Sequence, residues 1–397
     1  MTRALSDDQA RWLRLRSQRL TGPGPASVPE LVRAVGAVQA QHPPATRLAL
    51  RPRTSGLDLA AVASAWNQRR SVVRTWLLRG TLHAVAAEDL GWLLALLGPR
   101  FAAAGRRRRR ELGLDDELCE RGLRAIRRVL AATGPLDRAE LVRRLADHGV
   151  VLAGQARAHL VALAALRGVL CRGPDREHDE PTYVLVDRWL DGRPAAAPDE
   201  PLAELARRHV GGHGPAGARD LAAWAGLPAA QARRGLELIR GELEEVRVGG
   251  EPAWVLASTT RGGPPPDGRG GPPLVRLLPQ FDAWLLAYRD RGLTLPPAHA
   301  RRVQAGGGWV HALVVADGRV VGTWRQERAR DRLTILVEPF EPLEPAVLPG
   351  LEAEAADLGR FQHAEAALEV LPAGRGGGQA RVSAGPRPGA PRAGPRR

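Results

Sequence analysis

The chain has 397 residues, with 58 basic and 43 acidic side chains and a formal net charge of +15. Apart from histidine, every basic residue is Arg. The absence of lysine excludes a Schiff-base nucleophile, a pyridoxal phosphate anchor, a lysine P-loop and a lysine-dependent strand-cleaving lyase. Cys119 and Cys171 are too few for a disulfide framework or a four-thiolate zinc site.

A hydrophobic share of 44% supports real cores, and the length is a prior for two or three domains. The start of the chain is amphipathic and charged, unlike a secretory signal. No stretch approaches the ~18 uninterrupted apolar residues of a membrane span. The expectation is a cytoplasmic protein with no membrane partner, its two cysteines being buried thiols in a reducing compartment. An excess of guanidinium forks suits a polyanion, because they match phosphate geometry.

In chain order, residues 1–100 carry helical patterns at Val28–Val38 and Leu59–Gln68. Two strands, Val72–Leu77 and Thr81–Val85, follow around Leu78-Arg79-Gly80. Residues 101–200 hold a helix capped by Asp137 and running through Leu145, then a helix from Gly154 to Arg167. Val169–Cys171 then pairs with Thr182–Leu185 across a charged wing. Residues 201–260 give the clearest unit. A short helix capped by Asp220 ends at Gly226, Leu227-Pro228 turns the chain, and Ala229–Leu243 is a second helix. A hairpin then closes around Gly249-Gly250.

Helix, turn, helix, hairpin is the winged-helix order, and three copies predict a tandem array. After a Gly/Pro linker, residues 274–371 read as a small α+β cap. Its strands are Val275–Leu278, Val310–Ala316, Arg319–Trp324 and Leu333–Val337, with a tight turn at Asp317-Gly318 and a closing helix over Pro349–Leu368. Residues 372–397 are almost all Gly, Pro, Ala and Arg without an acid, the composition of a disordered basic tail. The fold class expected is therefore α+β, mainly helical: three winged helices, a cap and a tail.

The most pointed local feature is Gln39-Ala40-Gln41-His42-Pro43-Pro44. The residue before proline avoids the helical region, so the preceding helix ends here. In an extended Gln39–Gln41 segment the two carboxamides face the same way, and each offers an acceptor and two donors. Such a pair can hold a water or the edge of a base. His42 adjoins it as a possible pocket residue. Arg106–Arg110 is a run of five arginines that spreads around a helix and reads as a solvated face with at most one or two phosphate contacts. Arg233 and Arg234 lie on the second helix of the clearest unit, where a groove-reading helix places basic residues. His209 and His213 have metal-like i, i+4 spacing, but Gly211, Gly212 and Gly214 argue against a helix there and no third ligand is evident. No metal and no cofactor is expected. Asp282 reads as a helix cap.

The phrase Arg74-Thr75-Trp76-Leu77-Leu78-Arg79-Gly80-Thr81-Leu82-His83, with Gln39-Ala40-Gln41, resembles the AlkZ-like winged-helix DNA glycosylases. The likeness continues at Arg208-His209 through His213-Gly214-Pro215 and at Asp220-Leu-Ala-Ala-Trp224. It continues at Leu277-Leu-Pro-Gln-Phe281-Asp282, Tyr288-Arg289-Asp290-Arg291 and Asp317–Trp324, so it spans residues 10–370. Where the family pattern has a bulkier apolar residue between its two polar ones, this chain has Ala40. The resemblance implies a monofunctional glycosylase that excises alkylated purines from double-stranded DNA, with unhooking of interstrand crosslinks as its extension. It assigns Gln39 and Gln41 jointly to positioning a water. Arg74, Arg79, Thr81 and His83, with Arg233 and Arg234, are expected to contact DNA. A monomer associated with the nucleoid is expected. The alternative is a non-catalytic winged-helix DNA-binding protein or transcriptional regulator, and a third possibility is sequestration of a genotoxic metabolite.

Overall fold

A computed structural model describes residues 2–192, 197–260 and 271–374. Most of the Gly/Pro linker and residues 375–397 of the proposed tail lie outside them. The chain is a mixed α+β protein. Its contacts group residues 1–96 with 194–374 in one unit and 97–193 in a second.

In the first unit, Ser6 opens the helix Asp7–Ser17 with a capping box, and Ser27 caps Val28–Ala34. The latter stops four residues earlier than its apolar pattern suggests. Gly36 takes φ 78°, and the chain leaves it as the short strand Val38–Gln39. A Cβ on Gly36 would meet the Trp224 ring at 3.0 Å, so both the conformation and the close approach call for glycine. Pro43 and Pro44 open the next helix, Pro43–Leu50, in the first turn where proline is tolerated. Val38–Gln39 pairs antiparallel with Leu82–Ala86, which pairs on its other side with Val72–Trp76.

Three helices, Pro201–His213, Ala218–Ala225 and Ala229–Leu238, precede the hairpin Leu243–Val248 and Glu251–Leu256. Gly226 ends the second helix in the left-handed region, as its position suggests. Asp220 sits inside that helix and reaches back to the Gly217 N–H, so Gly217 is the cap. The third helix stops at Leu238, five residues short of its sequence pattern. Arg3–Leu5 adds a parallel third strand to the hairpin.

The C-terminal sheet runs in the order Val275–Leu278, Leu313–Ala316, Arg319–Ala329, Arg332–Pro339, Glu365–Val370. Here one expectation is corrected. The closing helix is Leu348–Gln362, and Glu365–Val370 is a strand parallel to Arg332–Pro339. His363 breaks the helix in the left-handed region. The helix-forming composition of Ala364–Leu368 yields to a ladder that satisfies its backbone. Leu351, Ala355, Leu358 and Phe361 pack with Val32, Leu50, Val314 and Ile335 in one core cluster. The cap thus shares its core with the N-terminal segment. Arg53 forks onto Asp282 at 2.7 and 2.9 Å, and Arg51 binds Glu354 and Asp357, all among buried or half-buried partners. Asp282 also accepts from the Trp284 N–H as the helix cap expected for it.

In the second unit, Asp137 caps Arg138–Ala146, Ala156–Leu166 follows, and Leu170–Asp175 pairs with Pro181–Leu185. Leu123, Ile126 and Leu130 line the buried face of Asp116–Thr133. Cys119 and Cys171 are buried and not joined in a disulfide.

Candidate active site

The site is built where the strand Val38–Gln39 runs beside Leu82–Ala86. Gln39 lies directly opposite His83 in this ladder, so their side chains share a face. The Ala40 N–H donates to the Leu82 carbonyl at 2.8 Å, and the Ala40 methyl is buried in the core. Gln39 and Gln41 therefore emerge on the same side. Gln39 Nε2 donates to Gln41 Oε1 at 2.5 Å; Gln39 is half-buried and Gln41 exposed. The two amides converge as their spacing suggests, but they bond each other directly. The Thr46 hydroxyl lies 3.1 Å from the Gln39 carbonyl and 3.0 Å from that of His42, which holds the end of the strand.

Behind the amides sits Arg79. It occupies the turn Leu78–Gly80 with φ 55°, a left-handed conformation unusual for a residue with a Cβ. Its Nη2 donates to Gln39 Oε1 at 2.8 Å, and its Nη1 donates to the Trp224 carbonyl at 2.6 Å. His83 Nε2 lies 3.4 Å from the same Nη2 and His83 Nδ1 lies 3.0 Å from the Thr81 carbonyl. A carbonyl can only accept, so Nδ1 carries the proton and Nε2 turns its lone pair to the guanidinium. Burial, reinforced by the Arg79 charge, pushes His83 down to about 3 and leaves it neutral. Burial, with the nearby charge of Arg291, lowers Arg79 to about 10, so it stays charged at neutral pH.

The other residues expected to meet DNA are placed as follows. Arg79 is engaged by two protein oxygens. His83 is buried within the network around Arg79. Arg74 is 5% exposed, with its guanidinium 4.7 Å from the centre of the Trp66 ring. Thr81 is half-buried and its hydroxyl donates to the Leu78 carbonyl, which spends it on the turn. His42 is also drawn into local structure, since its Nδ1 accepts the Ala45 N–H and caps Pro43–Leu50. Arg233 and Arg234 are exposed on Ala229–Leu238, free of the network at the glutamines.

His209 and His213 sit on an unbroken helix, Pro201–His213, despite the glycines. Both are fully buried against the Trp224 ring, with ring centroids at 5.1 and 5.5 Å. Burial lowers His209 to about 4 and His213 further below its ordinary value. Among the described residues no group of three potential ligands could hold a metal.

One contributor goes unflagged by sequence reasoning. Arg291 follows Tyr288 in an exposed loop, donates to Gln304 Oε1 at 2.8 Å, and is close enough for its charge to act on Arg79. The Arg289 N–H in the same loop donates to Asp220, the residue that braces the helix carrying Trp224. Tyr288-Arg289-Asp290-Arg291 stands out in the sequence as a phrase, but nothing local ties it to the glutamines.

A family model described as DNA glycosylase AlkZ-like matches residues 32–361. The interstrand DNA cross-link repair glycosylase of Streptomyces sahachiroi is 30% identical over 314 residues, covering 73% of this chain and 79% of that protein. The solved structure of Streptomyces sahachiroi DNA glycosylase AlkZ superimposes with a TM-score of 0.76 at 26% identity, covering 93% of this chain and 100% of the other. The family match contains both glutamines and the Arg79 turn, and the structural likeness extends over nearly the whole fold: the chain belongs to the AlkZ-like DNA glycosylases.

Proposed function

We propose that the chain is a monofunctional glycosylase for cationic N7-alkylpurines in double-stranded DNA, and that it extends to unhooking crosslinked strands. The observation that carries this reading is the hydrogen-bonded pair Gln39 and Gln41 at a solvent-facing edge. An N7-alkylated purine is already positively charged, so its glycosidic bond breaks without a strong acid. The bond from C1′ to N9 breaks with its electron pair going to the purine, which becomes neutral. A water oxygen then bonds C1′ and its spare proton passes to solvent. An amide does not titrate near neutrality and cannot be a true general base. It can orient that water and turn a carbonyl dipole toward the positive sugar. With no lysine, the reaction ends at an abasic site.

The crosslink extension draws support from the Streptomyces sahachiroi relative, an interstrand DNA cross-link repair glycosylase. We read the helices and hairpins of 1–100, 101–200 and 201–260 as three tandem winged helices, 274–371 as their cap and 372–397 as a basic tail. Three helices followed by a hairpin over 201–256, and two followed by a hairpin over 138–185, support that reading. We propose the exposed Arg233, Arg234 and Arg289, with the half-buried Arg291, as the side chains that meet phosphate. A monomer acting in the cytoplasm at the nucleoid completes the proposal. Membership of a glycosylase family weighs against the non-catalytic regulator.

A duplex carrying a single N7-methylguanine tests the reading. The enzyme should produce breaks only after alkali, and Gln39→Ala and Gln41→Ala should suppress them. Breaks without alkali would overturn the monofunctional assignment. Binding without excision across several alkyl lesions would restore the regulator.

A further inference from the structure

We infer that Arg79 is a positioning residue of this active site: wedged between the Trp224 carbonyl and Gln39, it fixes which way both catalytic amides face. The inference rests on the role proposed above for the glutamines and asks what orients them.

The argument follows from donors and acceptors. A guanidinium has only donors. The Gln39 amide can therefore meet Arg79 Nη2 at 2.8 Å only with its oxygen. That turns Gln39 Nε2 toward Gln41, whose own oxygen must then accept it at 2.5 Å. The orientation of an amide is ordinarily ambiguous, since oxygen and nitrogen have nearly the same shape. Here one side chain that cannot reverse its polarity removes the ambiguity twice. What remains is one lone pair on Gln41 Oε1 and the Gln41 NH2 group, with one N–H and one lone pair on the half-buried Gln39. Gln41 is the exposed one of the two, so we infer that it touches the water and that Gln39 is the link.

Arg79 is itself held on several sides. The Trp224 carbonyl takes Nη1 at 2.6 Å from the far end of the helix Ala218–Ala225. Its ring is locked between Gly36 and the buried pair His209 and His213. The left-handed turn at Arg79 and the lone pair of His83 complete the cradle. A free cation near a positively charged sugar would oppose catalysis. The Arg79 guanidinium keeps its charge, but its two ends are spent on carbonyl oxygens behind the amides, and what it gives the amides is geometry. The contribution is thus one of orientation, not of charge.

The alternative is a phosphate contact, and the two differ in what they change. The test uses the full-length enzyme and Arg79→Met, with Arg79→Lys as a second variant that keeps the charge but loses the two-pronged grip. Without DNA, the side-chain amide protons of Gln39, assigned by NMR with Gln39→Ala, should be shifted from the free-amide position in the parent and return to it in both variants. Unchanged Gln39 signals would overturn the inference whatever the enzyme does. With saturating enzyme on N7-methylguanine DNA, single-turnover excision should fall about 10- to 100-fold in both variants. Duplex affinity and its salt dependence should stay as in the parent. Adding Arg79→Met to Gln39→Ala should cost little more than Gln39→Ala alone. A normal saturating rate with a weaker affinity and a salt slope smaller by about one would show a phosphate contact instead. Fully multiplied losses in the double variant would also overturn the inference. Should the parent excise nothing while the Gln39 signals still respond to Arg79, the glycosylase reading fails and the positioning contact stands.

Discussion

Arg79 and the run Arg106–Arg110 show how poorly arginine density locates function. The run is the loudest basic feature of the sequence, yet the second unit spends it internally. Arg106 and Arg110 pair with Asp116, Arg107 and Arg108 pair with Glu111, and Arg109 is buried against the Ala102 carbonyl. Arg79 is a single residue in a turn, but it joins two segments 145 residues apart and orients an amide. Exposed pairs trade one solvated partner for another and contribute little. A buried donor set with no alternative acceptor is forced to use the partners it has.

The sharpest way to break this contrast is at the glutamines themselves. Gln39→Ala or Gln41→Ala should lower saturating single-turnover excision by about 10²–10³-fold, the scale of one lost preorganised group. Melting temperature should move by no more than about 3 °C, because Gln41 is exposed and Gln39 only half-buried. A rate within a factor of three of the parent would remove the amides from the chemistry and leave Arg79 with nothing to position.

The second effect concerns stability against acid. His83 is held near 3 in the folded chain, His209 near 4 and His213 well below its ordinary value, against about 6.5 when unfolded. As pH falls below 6.5 the unfolded chain binds protons that the fold refuses, so stability drops progressively from there toward pH 3. For His83 alone the loss by pH 4.5 is on the order of 3 kcal/mol. Urea titrations at pH 7.5 and 4.5 should show it, with His83→Leu less sensitive to the change. The neutral imidazole also predicts that excision between pH 6 and 8 carries no titration from His83. A rate step near 6.5 that disappears in His83→Leu would place a charged ring beside Arg79 and contradict the geometry.

Where the sequence was legible, the signals were local. Asp137, Gly226, Asp317-Gly318 and the prolines after His42 act on residues within a turn of themselves, and their helices and hairpins form accordingly. The convergence of Gln39 and Gln41 was readable for the same reason: it needs only an extended tripeptide. The role of Arg79 was not readable, because the Trp224 carbonyl that anchors it is distant in sequence and backbone oxygens leave no trace in composition. Glu365–Leu368 reads as helix in sequence but is strand, because its partner strand, not its own residues, decides its conformation. The pair His209 and His213 shows a third kind of failure. Glycines that disfavour an isolated helix are kept inside this one, where Gly212 lies so close to Ala34 and Val35 that a Cβ there would meet backbone at 2.9 Å.

A smaller effect separates two kinds of surface arginine. Arg233 and Arg234 are exposed on Ala229–Leu238. Each, replaced by Gln, should flatten the dependence of log affinity on log salt by about 0.9 and leave saturating excision unchanged. A lost excision rate at unchanged affinity would move them into the site.

The smallest effect is expected from Arg107, and it is the one that tests the contrast at its weak end. Its side chain is 92% exposed, and its one ion pair is with Glu111, which Arg108 shares. Arg107→Gln therefore leaves no buried charge behind and frees Glu111 for Arg108 alone. Melting temperature should stay within about 2 °C of the parent. Saturating excision should be unchanged, and the salt slope should fall by clearly less than it does for Arg233→Gln. A drop in slope as large as that of Arg233→Gln would mean that the run gives up its carboxylates for phosphate when DNA arrives. Arginine density would then have located part of the DNA-binding surface after all, and only the orientation of the amides would remain as what Arg79 does that the run cannot.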